Sequence, residues 1–301
     1  MNQPEVFSIR SEVVHWRDYL ALCKPRVVLV MLLTALVGMC LATSELPSFV
    51  LVVNSLVGIG LAAGSAAAVN HVLDRRFDEK MARTRHRPLP QGRLSENQAL
   101  VFAAVIGCVG IGLLAVAVNL LTAWLTLASL IGYAVVYTVW LKHATPQNIV
   151  IGGVAGAAPP LLGWTAVTGS LDPNGFLLML IIFAWTPPHF WALCIARKEE
   201  YRRAGVPMLP VTHGEAYTRL QIFLYTLLMI ATTAFPYLSG LSGGIYLIGV
   251  VLLNLKFLHG AWVVLRSTDK GAPMQLFRFS ISYIMLLFAV LLVDHYSAAV
   301  L

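Results

Sequence analysis

Asn70, Asp74 and Asp78 stand four residues apart in "NHVLDRRFDEKMARTRHRPLPQG". On an α-helix, residues four apart share a face, and eight residues rise roughly 12 Å. The run therefore predicts a column of three oxygen-bearing side chains. Carboxylates are ligands that Mg²⁺ accepts, and Mg²⁺ commonly joins one or two of them to substrate phosphates. Asp74 and Asp78 are the expected metal ligands. Behind them come Arg75, Arg76, Lys80, Arg83, Arg85 and Arg87, which could hold anionic oxygens. A charged helix cap is the plainer role for such a run. An acidic column followed by a basic loop, at the end of a long apolar segment, points instead to a phosphate ester with a hydrophobic tail.

Three other groups could carry chemistry. "ARKEEYRRAGVPMLPVTHG" repeats the same ingredients: Arg197 and Lys198, then Glu199, Glu200 and Tyr201, then Arg202 and Arg203. It reads as a second metal or phosphate shell, or as a solvated loop, since its carboxylates lack the i, i+4 spacing. "YTVWLKHATPQN" offers Tyr137, Lys142 and Asn148; Lys142 could pair with a phosphate oxygen or serve as a topology anchor. His189 follows Pro187-Pro188 and is either a hydrogen-bonded core residue or a substrate contact. Lys256, with Asn254 and His259, forms the only polar cluster inside an apolar segment. Such a group is a functional candidate, or a lysine that snorkels to the interface.

The elements that must position these groups are membrane helices. The chain of 301 residues is 58% hydrophobic and 12% charged, with mean hydropathy +0.77. A soluble domain carries about 25% charged residues, and a spanning helix needs about 20 apolar ones. Nine such segments are read, near 27–45, 49–73, 99–117, 121–141, 149–168, 175–196, 219–238, 243–265 and 276–294. Asn119 predicts a tight turn between the third and fourth. The expected fold is an all-α polytopic membrane bundle of about nine transmembrane helices around a central cavity, forming one domain over 1–301. A tail at 1–26 without a cleavable leader pattern and loops at 74–98 and 197–218 would be cytoplasmic. The net charge of +7 does not indicate nucleic acid, because Lys and Arg cluster in the tail and in every second loop. That one-sided partition places the N-terminus inside.

Pro159-Pro160 and Pro187-Pro188 should bend or break their helices. Broken backbone in a bilayer must be buried or line a cavity. Runs such as "GIGLAAGSAAAVN", "GGVAGAAPPLLGW" and "LSGGIYLIG" predict close helix packing, or room for a ligand beside the backbone. Cys23, Cys40, Cys108 and Cys194 lack metal-ligand spacing and read as small buried hydrophobes.

With the acidic motif, the stretches "LCKPRVVLVMLLTALVG", "YTVWLKHATPQNIVIGGVAGAAPPLLGWTAVTG" and "PPHFWALCIARKEEYRRAGVPMLPVTHG" resemble the intramembrane prenyltransferases related to 4-hydroxybenzoate prenyltransferase. The last two stretches resemble its haem-prenylating branch. The resemblance covers most of the chain. It implies farnesyl diphosphate and haem B as substrates, Mg²⁺ as cofactor, and a farnesylated, hydroxylated haem, haem O, as product. It implies diphosphate binding by Arg75, Lys80, Arg83, Arg87, Arg197 and Lys198, with Asn70, Tyr137 and Lys142 beside the metal ligands. His189, Trp164, Arg202 and Arg203 become possible haem contacts, and Trp164, Trp185 and Trp191 either line the cavity or pack the core. One departure stands out: many members carry a second Asp-rich motif where this chain has Glu199 and Glu200, which leaves the number of metal ions open. Expected surroundings are the lipid bilayer of a cytoplasmic (inner) membrane, and possible partners are haem A synthase or a terminal oxidase. Three alternatives remain at this stage, one of them a haem-carrying assembly protein, which would need no acidic column. Prenyl transfer to an aromatic quinone precursor suits the same acidic column. A transporter suits broken helices but not acidic residues gathered at one interface.

Overall fold

The computed structural model describes residues 15–267 and 269–298. The described residues form helices and turns without a strand. In chain order the helices are α1 (Trp16–Leu22), α2 (Pro25–Leu41), α3 (Phe49–Asp78), α4 (Glu96–Ala117) and α5 (Leu120–Ile131). A π-helical segment (Gly132–Leu141) continues α5, followed by α6 (Lys142–Ala144), α7 (Asn148–Ala157), α8 (Pro159–Thr168) and α9 (Pro173–Ala196). The rest are α10 (Lys198–Ala204), α11 (Leu209–Thr212), α12 (Gly214–Leu238), α13 (Gly244–Arg266) and α14 (Ala272–Ala298). Among the described residues, eight helices are long and apolar enough to cross a membrane, or nine spans where the bent pair α1 and α2 counts as one. The chain is thus a multi-pass membrane protein.

Local chemistry sets the boundaries. Ser48 Oγ accepts from Leu51 N at the start of α3, and Ser95 with Gln98 forms a reciprocal capping box on α4. Asn119 makes the expected tight turn: its Oδ1 accepts from Thr122 N at 2.8 Å, while its Nδ2 donates to Thr165 O at 2.9 Å. Close packing uses the small-residue runs. A Cβ on Gly163 would overlap the Ala35 backbone, and one on Gly38 would overlap Pro160, so α2 and α8 cross nearly backbone to backbone. A Cβ on Gly110 would lie 2.8 Å from Gly58 O, which fixes α3 against α4 in the same way.

Several expectations need correcting. α3 runs on to Asp78, so Asp74 and Asp78 are helical, and the first loop is 79–95 rather than 74–98. The segment at 197–218 contains α10, α11 and the start of α12. The tail at 1–26 includes α1 and the first two residues of α2; its first fourteen residues lie outside the described ones. Pro187 and Pro188 lie inside an unbroken α9, whereas Pro159 opens α8 after a single-residue interruption at Ala158. The main backbone irregularities are elsewhere. The chain turns 55° between α1 and α2, where Lys24 takes a left-handed conformation at φ 49°. The π-helical segment is the other. Of the cysteines, Cys40 and Cys194 are buried as expected, Cys23 is half-buried and Cys108 is exposed.

Candidate active site at the end of helix α3

The last three turns of α3 place Asn70, Asp74 and Asp78 on one buried face, at 3%, 5% and 5% exposure. Burying two carboxylates is costly unless each is paired. Asn70 Nδ2 donates to Asp74 Oδ2 at 2.8 Å, and Lys142 Nζ donates to the same oxygen at 2.5 Å. Asp78 Oδ2 accepts from Arg87 Nη1 at 2.7 Å. Lys24 Nζ completes the column from the other side, donating to Asn70 Oδ1 at 2.6 Å. Asp74 Oδ1 is buried and has no hydrogen-bond partner.

Three elements deliver the cations. The α1–α2 bend carries Lys24, and α1 is tied down by the 2.9 Å ion pair between Arg93 and buried Asp18. The 79–95 loop folds back on α3 through Thr84 Oγ1, which donates to Asp78 O at 3.0 Å, and so returns Arg87 to the column. The π-helical segment carries Tyr133 and Tyr137, and Lys142 follows directly. In a π-helix, hydrogen bonds close over five residues. Lys142 N donates to Tyr137 O, and Thr138 Oγ1 donates to Tyr133 O at 2.8 Å. This wider turn brings Tyr137 and Lys142, five residues apart, to the same cavity. The two tyrosine rings stack with centroids 5.4 Å apart. Gly152 of α7 leaves the space that the Tyr137 ring fills; a Cβ there would overlap the ring.

These groups border a cavity of about 440 Å³. Its lining includes four cations, Lys24, Arg83, Arg87 and Lys142, against the two carboxylates Asp74 and Asp78. Phe77, Tyr133, Tyr137, Phe190 and Tyr201 supply aromatic surface. Burial, with a smaller contribution from the Cys194 thiol, pushes the Tyr201 phenol well above its ordinary pKa, so it stays protonated. An apolar cavity of about 150 Å³ shares Lys24, Val27, Tyr133 and Gly156 with the first and continues between α2, α3 and α8. The arrangement suits an anionic head and an aliphatic tail. Asp74, with a free buried oxygen, and Asp78 are a donor set that fits one hard divalent cation. Among the described residues there is no cluster of three or more His, Cys, Asp or Glu side chains that could hold a metal.

The structure brings together Asn70, Asp74, Asp78, Arg83, Arg87, Tyr137, Lys142 and Tyr201. It leaves other expected residues outside this cavity. Arg75 pairs with Glu79 and Glu96 at 3.3 and 3.0 Å, and Lys80 is exposed. Arg197 pairs with Glu200, Lys198 with Glu215, and Glu199 with Arg202. The second acidic loop therefore spends its charges on local ion pairs of α10, and Arg203 is exposed beside them. His189 stacks between Trp185 and Phe277 and lies 2.5 Å from Ser280 Oγ, a contact of α9 with α14. Trp164 and Trp191 are buried in the core. Neither they nor Trp185 lines the cavity. Lys24, Tyr133 and Phe190 line it without having been singled out. The signal for Lys24 was a lysine directly before Pro25, where a helix starts and the chain must turn.

A family model described as the UbiA prenyltransferase family matches residues 31–289. Proteins named protoheme IX farnesyltransferase are similar over nearly the whole chain. That of Teredinibacter turnerae is 61% identical over 93% of this chain and 90% of its own. That of Hahella chejuensis is 59% identical over 93% of this chain and 94% of its own. Two solved structures share the fold at 17% identity. One comes from a study of digeranylgeranylglyceryl phosphate synthase, with TM-score 0.78 over 93% of this chain and 98% of that one. The other is a UbiA homolog from Archaeoglobus fulgidus bound to GPP and Mg²⁺, with TM-score 0.63 over 91% and 99%.

Proposed function

The chain belongs to the UbiA prenyltransferase family, and we propose that it transfers the farnesyl group of farnesyl diphosphate to a vinyl group of haem B, with addition of water, to give haem O. The observation that carries the site is the buried, unpartnered Oδ1 of Asp74, in an acidic column faced by four cations. The observation that carries the acceptor is the 61% identity to a protoheme IX farnesyltransferase across almost the full chain.

The residues divide the work. Asp74 and Asp78 would hold Mg²⁺, which when bound neutralises diphosphate charge and makes it a better leaving group. Lys24, Lys142, Arg83 and Arg87 donate to the diphosphate oxygens and stabilise the charge that grows there as the C–O bond breaks. Lys142 and Arg87 now rest on Asp74 and Asp78, so both ammonium and guanidinium are already at the column when substrate arrives. Departure of diphosphate leaves an allylic farnesyl cation. The faces of Tyr133 and Tyr137 border the same cavity, and ring faces attract cations. The terminal vinyl carbon of haem attacks the farnesyl C1. Positive charge then lies on the vinyl carbon next to the macrocycle, where water adds and loses a proton. The protein needs no covalent intermediate. Its task is to hold the vinyl group against the cation and to keep water out until the C–C bond exists.

The basic residues of the 79–95 loop and α10 support a cytoplasmic N-terminus in an inner membrane by the positive-inside rule. The purified protein given haem B, 4-hydroxybenzoate, farnesyl diphosphate and Mg²⁺ tests the acceptor by mass spectrometry of the products. Farnesylated, hydroxylated haem with unaltered benzoate is expected. Prenylated benzoate with unaltered haem overturns the acceptor while leaving the diphosphate site standing.

A further inference from the structure

Between α13 and α14, far along the chain from the acidic column, Lys256, His259 and Gln275 line a separate cavity of about 190 Å³ with Gly260 and Phe279. All three polar side chains are exposed, and none has a hydrogen bond or ion pair among the described residues. The Lys256 ammonium lies 4.7 Å from the centre of the Phe279 ring. The nearest carboxylate along the chain, Asp269, is engaged in accepting from Gly271 N at 2.8 Å. Arg278, one turn beyond Gln275 on α14, is likewise exposed and without an ion pair. Among the described residues the groove therefore gathers donors and positive charge that no carboxylate pairs with.

Its depth restricts what that anion can be. Phe279 is seven residues into α14, about 10 Å below the helix start, on the side of the bundle that carries the basic loops. Leu252 and Leu255 on α13 and Ile281 on α14, each within about one turn of a lining residue, are exposed apolar side chains. Arg266 lies over the exposed Trp262 ring at 4.8 Å, an interfacial anchor just above. A cation at this depth, opening onto a lipid-facing surface, suits an anion that carries its own hydrocarbon. Basic grooves between membrane helices on the positive-inside face hold anionic headgroups. An intramembrane lysine paired with a ring face but with no carboxylate asks for such a counter-ion.

We infer that the α13–α14 groove is a binding site for the phosphate of an anionic phospholipid, held by Lys256 and His259 with Gln275. Its acyl chains lie along the apolar faces of the two helices. The site is separate from the diphosphate cavity, so it survives or fails independently of the proposed reaction.

Native mass spectrometry of the full chain tests this, with dioctanoyl-phosphatidylglycerol and dioctanoyl-phosphatidylcholine added in turn. The wild type should retain the anionic lipid about tenfold more than the zwitterionic one. The double variant Lys256→Gln, His259→Gln should lose that preference, Lys256→Arg should keep it, and Lys270→Gln should leave it unchanged. Equal retention of phosphatidylglycerol by the wild type and the double variant overturns the site. Displacement of the lipid by inorganic phosphate at equal concentration also overturns it, because the site would then take a free anion.

Discussion

Lys142 Nζ donates to Asp74 Oδ2 across 68 residues of chain, joining the end of the π-helical segment to the acidic face of α3. The pair is largely buried, with side-chain exposures of 15% and 7%. A buried ammonium that can meet either a carboxylate or a phosphate oxygen is a charge held ready for the leaving group. Lys142→Gln should therefore lower kcat by on the order of 10²-fold, the usual cost of one preorganised donor to a developing anion. The variant should still insert and accumulate. Steady-state kinetics in nanodiscs check this, and a variant with near-normal kcat would remove Lys142 from the machinery.

Much of this site was legible because it is local. Asn70, Asp74 and Asp78 share a face by the i, i+4 rule alone, and the spans followed from runs of apolar residues. What was not legible depends on direction and on distant contacts. Arg75 adjoins Asp74 in sequence but lies about 100° around the helix and pairs with Glu96 instead. Arg87, thirteen residues from Asp74, returns through the loop. Lys24 reaches Asn70 only because the chain bends 55° before α2. The π-helical register that aligns Tyr137 with Lys142 has no periodic signal in so apolar a stretch. The second acidic loop misled by composition: Glu199 and Glu200 echo the first motif in type, but each faces an arginine three residues away.

Gly152 makes the position of Tyr137 depend on the absence of one methyl group. Gly152→Ala should force the Tyr137 ring from its place, at an overpacking cost of about 1–3 kcal/mol. Turnover should fall with it, whereas Gly112→Ala, where a Cβ meets nothing within 4 Å, should be silent. Thermal unfolding and turnover measured on the same preparations check both. Equal behaviour of the two variants would contradict the assigned packing.

Glu199 and Arg202 are exposed, at 61% and 52%, and such surface pairs contribute about 0–1 kcal/mol. Glu199→Gln should leave kcat/KM within about twofold, while Asp78→Asn should abolish turnover. Loss of activity in the Glu199 variant at normal expression would restore the second acidic loop to the site.

The most direct test of the account asks whether Asp74 couples the metal to the diphosphate. Calorimetric titration of the nanodisc-embedded protein with farnesyl thiolodiphosphate, a slowly reacting analogue, measures affinity with and without Mg²⁺. In the wild type, Mg²⁺ should tighten binding by on the order of tenfold or more, and Asp74→Asn should bind with one weak affinity in both conditions. An Asp74→Asn variant whose affinity still rises with Mg²⁺ as the wild type's does would contradict the assignment of the α3 column as the metal–diphosphate site.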